Sequence, residues 1–315
     1  MNDSVVILSI ASAIAVATPV LLAALGEIVG NRCGVMNLGV EGMMLVGAVV
    51  GFWAGIETGS LTLAMLAGGL AGAGLALIHA LLAVTLRVDQ TVSGLSLVIV
   101  GGGLSSFIGT AGEPGVLSAP NGVEVNPLFP QALRDLPAVG PTLLGHDIIV
   151  YLAVILIGTT GYVLYRTPAG LAFRAVGEDP AAADAAGIDV VKMRYLGTAI
   201  GGFGAGLGGA YLTLAIVGTW QNGVTAGAGW IAVALVILAG WRPWVALIGA
   251  VTYGVLNGLG FTLQLAEVDI PSDFLKMIPF VAAYLVVVGV SASPARARKV
   301  AAPAALAQPY AREAR

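Results

Sequence analysis

Charge is what this 315-residue chain has least of: only 10 % of its residues are Asp, Glu, Lys or Arg, against roughly 25 % in soluble domains. With 58 % hydrophobic residues and a mean hydropathy of +0.95, that scarcity excludes an ordinary soluble globule and leaves a polytopic membrane protein. The single cysteine, Cys33, excludes an internal disulfide, so cysteine usage says nothing about redox compartment. His79 and His146 are the only histidines, too few ligands for a metal site beside one cysteine. A net charge of −3 gives no reason to expect a nucleic-acid partner.

Catalytic signatures are missing as well. Lys192 and Lys276 are followed by Met and Lys299 by Val, so no phosphate loop of the Gly-Lys-Ser/Thr type is present. Neither G-x-S-x-G nor HExxH occurs. The chain is therefore read as a non-enzyme that needs no cofactor of its own. Its N-terminus has no basic region and carries Asp3, and the apolar run after it, about twenty residues, exceeds a signal-peptide core. It is expected to be a retained span.

What the chain does have is apolar runs of the length that crosses a hydrocarbon core, about 20 residues. They fall at 5–25, 33–54, 61–86, 91–110, 147–165, 195–217, 227–241, 243–265 and 275–291. The expected fold is an all-α transmembrane helix bundle of about nine spans, a transmembrane domain over 1–292 and a disordered cytoplasmic tail over 293–315. Nine spans put the termini on opposite sides, and the positive-inside rule puts the C-terminus in the cytoplasm: only Arg134 and Lys276 of the 14 Lys and Arg then fall outside.

That orientation makes 111–146 an outer loop, broken by Pro114, Pro120, Pro127, Pro130, Pro137 and Pro141. It makes 166–195 a cytoplasmic segment, the most charged stretch in the chain, with Arg174, Glu178, Asp179, Asp184, Lys192 and Arg194. Within it, Asp179 suits a helix N-cap, Pro180 the first helical position and Gly187 the left-handed residue that ends a helix. Lys192 and Arg194 are read as marking the membrane edge.

Inside the spans, Gly68 with Gly72, Gly202 with Gly206, Gly204 with Gly208 and Gly254 with Gly258 are spaced by four, which brings small residues onto one face for close helix contact. Polar residues there are costly and point to function. Glu41 is the carboxylate placed well within a span, with Asn37 four residues before it on the same face. The two are read as lining a polar path or gate, with a buried structural hydrogen bond as the alternative. Gln221, Asn222, Thr225, Trp230 and Asn257 form a second candidate set, able to hydrogen-bond and stack on a flat polar solute, or else to tie helices together. Glu27 is read as an interfacial partner of Arg32, and His79 as a satisfied core histidine. The stretch Gly34–Gly42 leading to Trp53 resembles Gly223–Trp230 leading to Trp241, which suggests an inverted internal repeat with a path at its interface.

Four blocks carry a family resemblance: Met36-Asn37-Leu38-Gly39-Val40-Glu41-Gly42, Asp89-Gln90-Thr91-Val92-Ser93-Gly94, Arg174-Ala175-Val176-Gly177-Glu178-Asp179-Pro180 through Gly187, and Thr225-Ala226-Gly227 with Gly229-Trp230-Ile231-Ala232. In these the chain resembles the permease subunits of bacterial ABC importers for simple sugars, nucleosides and branched-chain amino acids, the nucleoside type above all. Relatives often carry a charged residue where Ala228 stands. The resemblance implies a multi-pass protein of the inner membrane, paired with a homologous second permease. It implies ABC ATPase subunits holding ATP-Mg and an extracytoplasmic substrate-binding lipoprotein. It also maps a coupling segment onto Arg174, Glu178, Asp179, Asp184 and Gly187, seated in the ATPase. The competing expectation is an autonomous proton-coupled secondary transporter with Glu41 as carrier, which has no need of the charged 166–195 segment.

Overall fold

The structure, a computed structural model, describes residues 3–111, 122–265, 271–292 and 301–312. Among them the chain is a helix bundle. Helices α1 (Asp3–Arg32), α2 (Val40–Thr58), α3 (Leu61–Ala80), α4 (Gln90–Thr110), α6 (Ile148–Arg166) and α9 (Val190–Tyr211) are each long and apolar enough to cross a membrane; α3 and α9 run on as π-turns, Leu81–Thr85 and Leu212–Val217. Between them lie the short α5 (Gln131–Arg134), α7 (Pro168–Glu178) and α8 (Pro180–Ala185). Then follow α10 (Ala228–Leu238), α11 (Pro243–Leu265) and α12 (Ser272–Ser291). Each of the nine apolar runs read from the sequence holds one of the longer helices.

Two stretches depart from simple spans. The run expected over 33–54 starts with seven non-helical residues, 33–39, and α2 begins only at Val40. Gly34 enters the left-handed region there (φ 83°) and Asn37 folds its side chain onto the Gly39 N–H. Helix α10 has 11 residues, about 16 Å at 1.5 Å per residue, half of what a bilayer core needs. It is stopped by Gly240 and Trp241, both at positive φ.

Helix α1 is the buried axis and packs on α9, α11, α10 and α6; α2 is held between α3, α9 and α4. Apolar side chains gain little by leaving lipid for protein, so such contacts rely on close approach of backbones. The glycines supply it. A Cβ on Gly26 would meet the Ile200 and Gly201 carbonyls, one on Gly204 the Leu22 carbonyl, and those on Gly47, Gly68 and Gly72 all meet Gly206. The outer faces of α3, α4, α6 and α12 expose Leu70, Ile99, Phe107, Ile155 and Tyr284, a surface suited to lipid.

One end of the bundle gathers Arg32, the α7–α8 segment and Trp241; the other gathers the end of α2, Val123 and Trp220, whose ring lies against Gly109 of α4. Residues 112–121 of the expected outer loop lie outside the described residues. The rest of that loop carries α5, a π-turn at Gly140–Leu144 and a bridge between Pro127 and Asp147.

The tail differs from expectation. Residues 301–312 are not free chain: Ala305 is buried, its N–H donates to the Gly177 carbonyl, and the Ala307 N–H donates to that of Gly34. Composition suggested disorder because Ala and Pro supply few side-chain contacts, but backbone bonds hold the segment. Residues 293–300 and 313–315 lie outside the described residues.

Close packing at Gly206 predicts that Gly206→Leu lowers the thermal midpoint of the detergent-solubilised protein by an amount equal to about 3 kcal/mol or more. Gly74→Ala, where an added Cβ meets nothing within 4 Å, leaves the midpoint unchanged. A thermal unfolding series on the two variants checks both.

Candidate functional site

The start of α2 and the turn that precedes α10, 218–227, meet inside the bundle. Glu41 sits in the first turn of α2, yet its carboxylate reaches across to the start of α10. Its Oε1 accepts from the Thr225 hydroxyl at 2.6 Å and the Gly227 N–H at 3.0 Å, and its Oε2 accepts from the Gly229 N–H at 2.7 Å. All these partners are donors, which an acceptor-only carboxylate satisfies. Two helix N-termini, each carrying partial positive charge, converge on one anionic group. Placing a carboxylate at a helix centre costs roughly 2.5–3.5 kcal/mol on insertion scales; hydrogen bonds to a charged group return about 1.5–3 kcal/mol each. The bonds win, so the carboxylate holds its place at 7 % exposure.

Gly227 and Gly229 make this approach possible. Gly227, the N-cap of α10, has φ 87°, and a Cβ on Gly229 would collide with the Glu41 backbone. Ala228, where relatives often carry charge, is 4 % exposed within this turn.

The broken backbone at 33–39 must find partners within the protein, because lipid offers none. Met36 N–H donates to Gln90 Oε1 at 2.7 Å, and the Met36 carbonyl lies 3.0 Å from His79 Nε2, whose Nδ1 lies 3.0 Å from Ser93 Oγ. His79 is thus a satisfied core histidine. Asn37 donates to Glu27 Oε2 at 3.3 Å while its Oδ1 accepts from Gly39. Glu27 also accepts from Asn31, one turn on. The Glu27–Arg32 pairing expected from sequence is not formed: Arg32 donates to the Tyr165 hydroxyl and to the Gly240 and Trp241 carbonyls. The reason is geometric, since residues five apart lie on different helix faces.

The structure therefore brings Glu41 and Thr225 into one cluster; Asn37 lies in the break before α2, so the shared helix face expected from the four-residue spacing is not formed, and its side chain bonds Glu27, Met43 and Gly39 instead. Trp230 is half-buried in the first turn of α10. Asn257 lies on α11, where its Nδ2 is 3.5 Å from the Tyr253 hydroxyl. Gln221 and Asn222 are exposed in the turn after Trp220, where the Gln221 carbonyl accepts from the Val224 N–H. Gln90, His79, Ser93, Glu27 and Asn31 are buried polar groups that the site reading from sequence left out. Gln90 and Ser93 lie in one of the four blocks that carry the resemblance, and the four-residue spacing of Glu27 and Asn31 was a usable signal.

The charged segment forms two helices joined at Asp179. Its carboxylate caps α8 by accepting from the Ala181 and Ala182 N–H groups at 3.0 Å each, Pro180 opens the helix, and Gly187 follows it with φ 84°. Arg174 bonds the Leu164 carbonyl and lies over the Tyr165 ring. Glu178 accepts from Ala304 N–H, and Asp184 pairs with Arg312 at 3.2 Å. Gly177 packs against the Arg32 carbonyl and Gly34, so α7 touches the break itself. Lys192 is exposed, but Arg194 is 1 % exposed and donates to the Gln308 carbonyl; it is an internal residue and does not mark the membrane edge. Its position on α9, facing Cys33 and the tail, explains the difference.

Residues 9–288 match the family described as branched-chain amino acid transport system permease component. The chain is 34 % identical over 303 residues to the guanosine ABC transporter permease protein NupQ of Bacillus subtilis, covering 91 % of this chain and 93 % of that one. It is 31 % identical over 285 residues to the nucleoside ABC transporter permease protein NupC of Lactococcus lactis, covering 86 % and 88 %. TsgC13 of Haloferax volcanii, a proposed glucose ABC transporter permease, is 40 % identical over 249 residues, 79 % of this chain and 75 % of its own. No solved structure matches.

Removing the carboxylate leaves buried donors without an acceptor. Glu41→Ala is expected to cost about 2–4 kcal/mol of stability, and Glu41→Gln, which turns an amide N–H toward a backbone N–H, about 1–3 kcal/mol. Thermal midpoints in detergent check the order wild type, Gln, Ala.

Proposed function

The chain belongs to the family of branched-chain amino acid transport system permease components, and from that premise we propose that it is the translocation subunit of an ATP-driven importer for a nucleoside or related simple-sugar solute. It is a multi-pass membrane protein of the ABC permease class, a class whose ATP hydrolysis sits in a separate subunit and whose systems include substrate-binding partners. The solute class rests on the guanosine and nucleoside permeases among its relatives and on the proposed glucose permease.

The contact of Gly177 with Arg32 and Gly34 carries the mechanical part of this reading. In it, the α7–α8 segment faces the cytoplasm, the N-terminus faces outward, and Arg174, Glu178, Asp179, Asp184 and Gly187 form the surface that an ABC ATPase seats. When ATP closes the ATPase pair, α8 moves and α7 presses on the break at 33–39. The break precedes α2, and α2 is tied through Glu41 to α10, so one displacement shifts both helices. A homologous second permease supplies the other wall of the path, and an outer substrate-binding lipoprotein delivers the solute. Asn37, Glu41, Thr225, Trp230 and Asn257 lie along or behind the wall facing that path, while Gln221 and Asn222 stand at its outer mouth. Nothing in the cycle alters the solute chemically.

Two variants test the coupling surface. Glu178→Arg reverses the charge offered to the ATPase, and Gly187→Pro cannot adopt φ 84°. Both are expected to insert normally, with ATP-driven guanosine uptake down by roughly tenfold, in the range of ordinary coupling energies. Uptake at the wild-type rate in both removes the docking assignment. Side is tested separately: in a Cys33→Ser chain, a cysteine at Ala181 is expected to react with an impermeant maleimide only after the cells are opened, whereas one at Ala132 reacts in intact cells.

A further inference from the structure

Residues 303–312 bind the same elements that the proposed coupling route runs through. The Ala305 N–H donates to the Gly177 carbonyl at 2.9 Å, at the end of α7, and the Ala307 N–H donates to the Gly34 carbonyl at 3.2 Å, in the break before α2. Between those two bonds Ala305 is buried at 5 % exposure. Farther on, the Gln308 carbonyl accepts from Arg194 Nη1 of α9 at 3.0 Å. The Tyr310 hydroxyl donates to Asp184 Oδ2 at 3.1 Å, and Arg312 reaches the same oxygen at 3.2 Å. Glu178 accepts from the Ala304 N–H. One short stretch thus joins α7, α8, α9 and the break.

We propose that residues 303–312 are a tension brace of the coupling route, holding the α7–α8 segment to the start of α2 so that a pull, as well as a push, is transmitted. The inference rests on the transport reading above. Its physical basis is the difference between two kinds of contact. Gly177 meets Arg32 and Gly34 by van der Waals contact, which resists compression strongly and separation weakly. A strap hydrogen-bonded to both sides resists separation. An importer has to run both strokes, and without the strap α7 can push the break but cannot draw it back. The same segment closes one side of a cavity of about 190 Å³ lined by Glu27, Asn31, Asn37 and Trp241, through Leu306, with Ala302 just ahead of it. Movement of the brace therefore also opens or closes the cytoplasmic side of the polar cluster at the break.

The test uses the complete complex in proteoliposomes and reads guanosine taken up per ATP hydrolysed. A chain ending at Ala301 is expected to assemble with the ATPase and to hydrolyse ATP, because water replaces the Gln308 carbonyl on Arg194, while uptake per ATP falls by roughly tenfold. Ala307→Pro deletes the N–H that bonds Gly34 and is expected to show the same loss; Ala307→Gly keeps that N–H, suits the φ of 64°, and is expected to match wild type. If the truncated chain fails to assemble, the Ala307 pair decides alone. An unchanged ratio in Ala307→Pro overturns the brace, and so does a rise in uptake or hydrolysis on truncation, the mark of a tail that merely blocks docking. Absence of ATP-driven uptake by the wild-type complex is a different failure and strikes the transport reading itself.

Discussion

A carboxylate held between two helix starts sets the terms for this molecule. Glu41 on α2 accepts from Thr225, Gly227 and Gly229 at the head of α10. In water such bonds would compete with solvent; inside a bundle, the alternative is an unpaired charge in a low-dielectric surrounding, so each bond to the carboxylate is worth more than it would be in water. The link is therefore obligatory. It joins the start of α2 to the start of α10, just past the point where each chain leaves an irregular stretch, and it requires glycine at 227 and 229. Two breaks in turn create backbone groups that nearby side chains must satisfy, which is what Asn37, Gln90 and His79 do for residues 33–39.

Once α2 and α10 are tied, the glycine contacts determine what moves with them. Gly47 of α2 and Gly68 of α3 pack on Gly206 of α9, and Gly26 of α1 packs on Gly201. Interfaces this close have few intermediate arrangements, so they transmit displacement as rigid bodies and do not deform gradually. The break at 33–39 is an irregular stretch among these packed helices, and Gly177, Arg194 and the tail converge on it. In the proposed coupling route, a force applied at α8 reaches the Glu41 junction through the break.

Local signals were legible in the sequence. Asp179, Pro180 and Gly187 carry the cap, start and stop of α8 within nine residues, and the structure uses each as its chemistry suggests. The glycine spacings foretold close packing, because a four-residue period is a property of the helix itself. Glu41 stood out as a costly residue in an apolar run, but its partners were out of reach: Thr225 lies 184 positions away, and pairing over that separation leaves no periodic trace. Reading 33–54 as one span failed for a related reason. Composition across 33–39 is apolar enough for a helix, and what breaks it is Gly34 together with side chains arriving from Gln90 and His79. The tail and Arg194 escape a composition-based reading together, since the buried guanidinium donates through Nη1 to a backbone carbonyl 114 positions away.

The most direct test of the account is whether accumulation depends on ATP hydrolysed by another subunit. The chain is reconstituted into liposomes alone and, separately, with the proposed second permease, ATPase and binding protein; guanosine uptake is then followed with internal or external ATP and with an imposed proton gradient. The account predicts accumulation only in the complete complex, only with ATP on the side bearing the α7–α8 segment, and none from a proton gradient. Accumulation by the chain alone under a proton gradient would contradict it.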